Sequence, residues 1–201
     1  MNIADSPVSI IIFTLTILIS IYTIYKNQNL YFKLLLNPRA VIYEKKYYQL
    51  ITSGFLHADI MHLIFNMLTF YFFGFQLESY IGSLNFFMIY FLSLLAANLF
   101  TVWKKRKEYN YGSVGASGAI SGILFSFILI SPATELLIFP LPFPIPSWLF
   151  GTFYLGWTYY ASNHSYDRIN HTAHLYGALA GIIITMILLP DVVSNIASYF
   201  M

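Results

Sequence analysis

Apolar residues in this chain fall into long unbroken runs, with neither strict alternation nor a heptad pattern. Six runs stand out, over roughly 8–25, 58–77, 84–103, 116–131, 147–161 and 172–189, separated by loops rich in proline or charge. Runs of this kind predict membrane-spanning helices. The fourth and fifth are short: about 16 residues at about 1.5 Å each give about 24 Å of helix, less than the roughly 30 Å hydrocarbon core. Their ends are expected inside the bundle, where protein or cavity water satisfies the backbone. The segment FPLPFPIPSW (139–148) alternates proline with apolar residues. It cannot be a helix interior, so it reads as an extended connector into the fifth span. No internal repeat is visible, and the length suits one domain over 1–201. The expected fold class is all-α, a polytopic membrane bundle of six helices.

Composition agrees with this reading. The chain is 58% hydrophobic and 9% charged, with a mean hydropathy of +0.68, whereas about 25% charge is usual for a soluble domain. The lipid bilayer is therefore its expected surroundings. The absence of cysteine excludes disulfides, thiolate metal sites and a thiol nucleophile. A net charge of +2 gives no reason to expect nucleic-acid binding. The first run follows Asp5, has no basic residue ahead of it and no small-residue cleavage site behind it. It is read as a retained span and not as a signal peptide.

Six spans make the even-numbered helices parallel, so their N-terminal ends share one membrane face. The unusual polar residues collect there. His62 and Asn66 lie in the first half of the second span, Ser117 opens the fourth, and His171 and His174 open the sixth. His62 and Asn66, at i and i+4, share a helix face. Polar residues inside a span are costly and point to function by default, although helix–helix hydrogen bonding would explain this pair equally well.

Ser117 sits in GSVGASGAISG (112–122), and His174 in AHLYGALAG (173–181). Gly118 and Gly122 form one small-residue stripe, and Ala173, Gly177 and Gly181 another. Stripes of this type let helix backbones approach closely. Facing stripes would bring the Ser117 hydroxyl and the His174 imidazole within the reach a nucleophile–base pair needs. The helix N-terminus at Ser117 offers free N–H groups for an oxyanion, and His62 and Asn66 could add side-chain donors. No acid is evident to orient the histidine. Asp59 and Asp167 lie in loops or near helix ends, so a Ser–His dyad is the more economical reading. HExxH, an intramembrane acidic pair, the G-x-S-x-G elbow and a phosphate loop with its lysine are all missing. No cofactor or metal is expected.

FLHADIMHLIFNM (55–67), GASG (115–118) and AHLYGALAG (173–181), in this order, resemble the rhomboid intramembrane serine proteases. The resemblance covers nearly the whole chain, as the six-helix form. It implies Ser117 as nucleophile, His174 as base, and an oxyanion hole from His62, Asn66 and the Ser117 N–H. His57 matches a further family histidine, and Gly115, Gly118, Gly177 and Gly181 support the site. It also implies a loop before the second span lying partly in the membrane plane, and a gate formed by the fifth helix and the 162–171 loop. The implied partner is a transmembrane protein substrate, cut near the end of its segment, where small or helix-breaking residues ease unwinding. The oligomeric state stays open. The implied location is a bacterial inner membrane.

Two positions depart from the family pattern. Tyr48-Gln49 stands where Trp-Arg is common in the loop before the second span, and Ser121 where an aromatic often stacks on the catalytic histidine. His171 or Tyr176 is the expected substitute for orienting His174. All ten Lys and Arg fall on the face that carries the polar cluster. The positive-inside rule puts that face in the cytoplasm, whereas the resemblance puts the site on the outer face. Two other functions fit the residues. One is a silent rhomboid-like protein that escorts membrane clients. The other is a metal-binding or transport protein built on His57, His62, His171 and His174.

Overall fold

The computed structural model describes residues 5–138, 142–165, 167 and 169–200, without the side chains of Asn195 and Phe200. Arg168 of the cation tally, and 139–141 of the proline-rich connector, lie outside these. Among the described residues six helices form the bundle: α1 (Pro7–Tyr25), α5 (Ile60–Ile81), α6 (Ser83–Lys105), α7 (Ser117–Ile130), α8 (Ser147–His164) and α9 (His171–Leu188). Among the described residues α1, α5, α6 and α9 are long and apolar enough to cross a membrane, and α7 is a shorter apolar helix. Short helices α2 (Gln28–Leu34), α3 (Pro38–Tyr43) and α4 (Gln49–Thr52) fill the first loop, and α10 (Asp191–Phe200) follows α9. A two-residue ribbon, β1 (Glu135–Leu136) with β2 (Ile145–Pro146), joins α7 to α8.

The centre is α7, whose residues Gly118 to Ile128 are all buried. A helix that is apolar all round belongs in the middle of a bundle, and α5, α6, α8 and α9 pack around it. The small residues set the spacing. A β-carbon on Gly118 would come 2.5 Å from the Ala97 methyl and 3.4 Å from the Ala173 carbonyl oxygen. One on Gly177 would sit on the Gly118 carbonyl, and one on Gly181 on that of Gly122. The two stripes therefore face each other with backbones in contact.

Glu78 of α5 is 1% exposed. A buried carboxylate is costly unless it is hydrogen-bonded. Here it accepts the Val8 N–H (3.0 Å), the Ser9 N–H (2.6 Å) and the Ser83 hydroxyl (2.6 Å). It thereby satisfies orphan donors at the positive end of α1 and ties α1 to the far end of α5.

In the first loop Asn27 and Asn37 cap α2 and α3. Gln49, 2% exposed, donates to the Lys33 carbonyl (3.1 Å) and accepts the Asn37 N–H (3.1 Å). Thr52 donates to the Leu34 carbonyl (2.8 Å). Where the family pattern has an arginine, the loop is thus anchored by a neutral amide that reads one donor and one acceptor of its backbone. Paired bonds between Leu36 and Ser113 (3.0 Å each), and Gly115 N–H to the Ser53 carbonyl (3.0 Å), fasten it to the segment leading into Ser117.

Candidate active site

The N-terminal ends of α5, α7 and α9 meet on one side of the bundle. His62, Asn66, Ser117 and His174 all line one cavity of about 1380 Å³, whose apolar walls include Phe65, Phe73, Leu124 and Tyr154. α5 supplies His62 and Asn66, α7 supplies Ser117 and α9 supplies His174.

Ser117 is the first residue of α7, and the Ile120 N–H is the one that bonds back to Ala116 (2.9 Å). The N–H groups of Ser117, Gly118 and Ala119 therefore precede the helical ladder. Gly115, at φ +126°, turns the chain into this helix. A β-carbon there would lie 2.8 Å from His62 Cε1, 3.0 Å from His62 Nε2 and 3.7 Å from Ser117 Oγ. The His62 ring thus lies against the backbone beside the serine, and glycine is needed for both space and φ.

Asn66 donates to the His62 carbonyl (3.0 Å), which leaves it a second amide hydrogen. His57 is fully buried, and its ring meets His62 edge-on with centroids 4.9 Å apart. The Ser20 hydroxyl donates to the Phe55 carbonyl (2.9 Å), so its contact with His57 Nδ1 (2.9 Å) assigns the proton to Nδ1. His57 Nε2 has no hydrogen-bond partner among the described residues. His57 supports His62 from behind and does not line the cavity.

Asp59 accepts the His62 N–H (2.8 Å) and caps α5. Asp167 faces His171, Oδ2 to Nε2 at 3.0 Å, and accepts the Ile169 N–H at 2.9 Å. The hydrogen bond from His171 and then the Ile169 N–H hold its carboxyl below the usual carboxylate range. Neither acid touches His174. No hydrogen bond holds the His174 imidazole, and none joins it to Ser117, among the described residues. The two side chains face the same cavity across the glycine contact.

Tyr176 stacks on Phe100 (3.7 Å, 4°), not on His174. His171 meets His174 edge-on at 6.0 Å. The parallel ring beside His174 belongs to Tyr154 of α8 (6.5 Å, 17°), and nothing in the sequence marks it.

Asn170 was also absent from the sequence-derived site. Its Oδ1 accepts the Ala173 N–H (3.0 Å), and its Nδ2 donates to Thr101 and Ser113 (3.0 Å each). It joins the start of α9 to α6 and to the loop before Ser117. An Asn directly before a helix is an N-cap signal, but its second and third partners are visible only in the fold. Among the described residues no group of three or more His, Cys, Asp or Glu is placed to hold a metal. The four histidines proposed as ligands meet as two pairs, His57 with His62 and His171 with His174.

Fold and site define a polytopic helical membrane protein with a serine, two histidines and an asparagine converging on one cavity. A family model described as the rhomboid domain matches residues 44–191, and the chain belongs to the rhomboid family. It is 33% identical over 137 residues to Rhomboid protein 1, mitochondrial, of Saccharomyces cerevisiae, covering 67% of this chain and 40% of that protein. It is 32% identical over 157 residues to Rhomboid-like protein 11, chloroplastic, of Arabidopsis thaliana, covering 71% and 52%. It is 33% identical over 85 residues to the Putative rhomboid protease YdcA of Bacillus subtilis, covering 42% of each. The chain spans about half the length, or less, of these relatives. The two that cover most of it carry organellar names, so the expected bacterial inner membrane is not supported; a membrane protein is what stands.

Proposed function

We propose that this chain is an intramembrane serine endopeptidase in which residues 1–201 form one rhomboid-like domain. The observation that carries this reading is the meeting of Ser117, His174, His62 and Asn66, from three separate helices, on a single apolar cavity. Ser117 Oγ attacks the scissile carbonyl of a transmembrane segment while His174 takes its proton. The oxyanion is received by the Ser117 N–H, the free Asn66 amide hydrogen and His62. His174 then protonates the leaving amine, and water releases the acyl group by the reverse route. Loss of one oxyanion donor should cost about 10²–10³ in turnover. Apolar walls suit a substrate arriving from lipid, and the organellar names of two relatives are compatible with an organellar membrane.

The alternative, a silent rhomboid-like escort, is favoured by one observation: Ser117 and His174 form no hydrogen bond at rest. Such bonds commonly tighten only when substrate binds. Fluorophosphonate labelling in detergent decides between the two. The protease reading expects labelling that is lost in Ser117→Ala and strongly reduced in His174→Ala. Equal cleavage of a transmembrane substrate by wild type and Ser117→Ala would overturn it.

A further inference from the structure

A general base must be held in one orientation to take a proton from its nucleophile. The His174 imidazole has no hydrogen bond to hold it among the described residues. The Tyr154 ring instead lies beside it, nearly parallel at 17° and offset, with centroids 6.5 Å apart. Tyr154 is itself fixed twice. Its hydroxyl lies 3.0 Å from Ser121 Oγ on α7, and its ring packs against Phe125 and Phe150, each with centroids 5.7 Å away. Ser121 is one helical turn beyond Ser117 and 3% exposed. The contact thus runs from the nucleophile's helix, through a hydroxyl pair, to a ring on α8 and from there to the imidazole on α9.

The rest of α8 explains why this contact matters. Its ends are tethered to the bundle: Ser147 donates to the Ser131 and Pro132 carbonyls (2.9 and 3.0 Å), and Lys104 to the Ser162 carbonyl (2.6 Å) and Asn163 (3.1 Å). Between those ends its outward face is bare, with Phe153 and Trp157 exposed and no neighbour within 4 Å of a β-carbon on Gly156. Among the described residues the Tyr154–Ser121 bond is the polar link from the middle of α8 to the bundle.

We propose that Tyr154 is a positioning residue that orients His174, and that the Ser121 hydroxyl holds Tyr154 in place. This rests on the protease reading of Ser117 and His174. The consequence is mechanical. Any displacement of the middle of α8 removes the ring from His174, so the base is set only when α8 is seated against α7.

The test is the rate of fluorophosphonate labelling of Ser117 as a function of pH, with thermal unfolding recorded for every variant. Labelling reads the serine and its base directly, without a bulky substrate. Tyr154→Leu is expected to lower the rate by about tenfold, a fraction of the 10²–10⁴ that general-base catalysis supplies. It should also move the pH midpoint. Tyr154→Phe keeps the ring and should retain most of the rate. Tyr154→Phe and Ser121→Ala should have the same small effect, and combining them should add nothing, since both remove one bond. Wild-type rate and pH profile in folded Tyr154→Leu would overturn the proposal. If wild type itself is not labelled, the protease reading fails. The contact is then read from the His174 ring resonances in histidine-labelled protein. A shift in Tyr154→Leu that is absent in Tyr154→Phe supports the contact, and no shift in either refutes it.

Discussion

The carbonyl oxygen of Gly118 in α7 occupies the place a β-carbon on Gly177 of α9 would need. Backbone meets backbone here, with Ser117 one residue from Gly118 and His174 three residues from Gly177.

Gly177→Ala should therefore push α7 and α9 apart. Overpacking of a closed interface costs about 1–3 kcal/mol, and no side chain can yield because the obstructing atoms are main chain. Cleavage should fall by more than the stability loss explains, because the separation acts directly on the Ser117–His174 pair. Gly156→Ala on α8 is the control. With no neighbour within 4 Å, it should keep full activity and gain up to about 1 kcal/mol of helix propensity. Thermal unfolding in detergent, read beside cleavage of a transmembrane substrate, checks both.

Asn170→Ala removes the cap of α9 and two side-chain bonds at once. The cap alone is worth about 1 kcal/mol, and each part-buried bond up to about as much again. Asn170→Asp keeps the capping oxygen but cannot donate to Thr101 and Ser113. Stability should rank wild type, then Asp, then Ala, while both variants lose turnover because the tie between the start of α9 and the loop before Ser117 is lost. Denaturant titration and cleavage rates give the ranking; an Asp variant with wild-type turnover would contradict it.

Asp167 supplies the pH prediction. Its folded carboxyl is held below the usual carboxylate range because His171 and the Ile169 N–H favour its charged form. A lowered value contributes stability that is present above the unfolded value and lost as pH falls through the folded one. The stability gap between wild type and Asp167→Asn should be widest near neutral pH and close on acidification through the usual carboxylate range and below it. The carboxylate is exposed, so the gap should be small and shrink in salt. Cleavage should change little, since Asp167 does not reach His174.

Much of the candidate site's placement is legible in the sequence for a simple reason. A helix period and a span count are enough to place Ser117, His62 and His174 at one end of three parallel helices. The facing stripes followed from the same arithmetic, because glycine at spacing four has few other uses in an apolar helix. Gln49 was a partial case: its departure from the family pattern was visible. That an amide could anchor the loop by bonding both a carbonyl and an N–H was not visible, since those partners lie 12 and 16 residues away.

By itself the sequence determined the class of environment, the helices, the face on which the polar residues gather and the absence of thiol chemistry. These depend on composition and period, which are local quantities. Only the tertiary structure decided that Asp167 serves His171, that Tyr154 rather than Tyr176 is the parallel ring beside His174, and that Glu78 caps a helix about 70 residues earlier in the chain. Those outcomes depend on how each helix is rotated about its own axis against its neighbours. That rotation is set by the sum of many side-chain contacts across the bundle, and no single segment carries it.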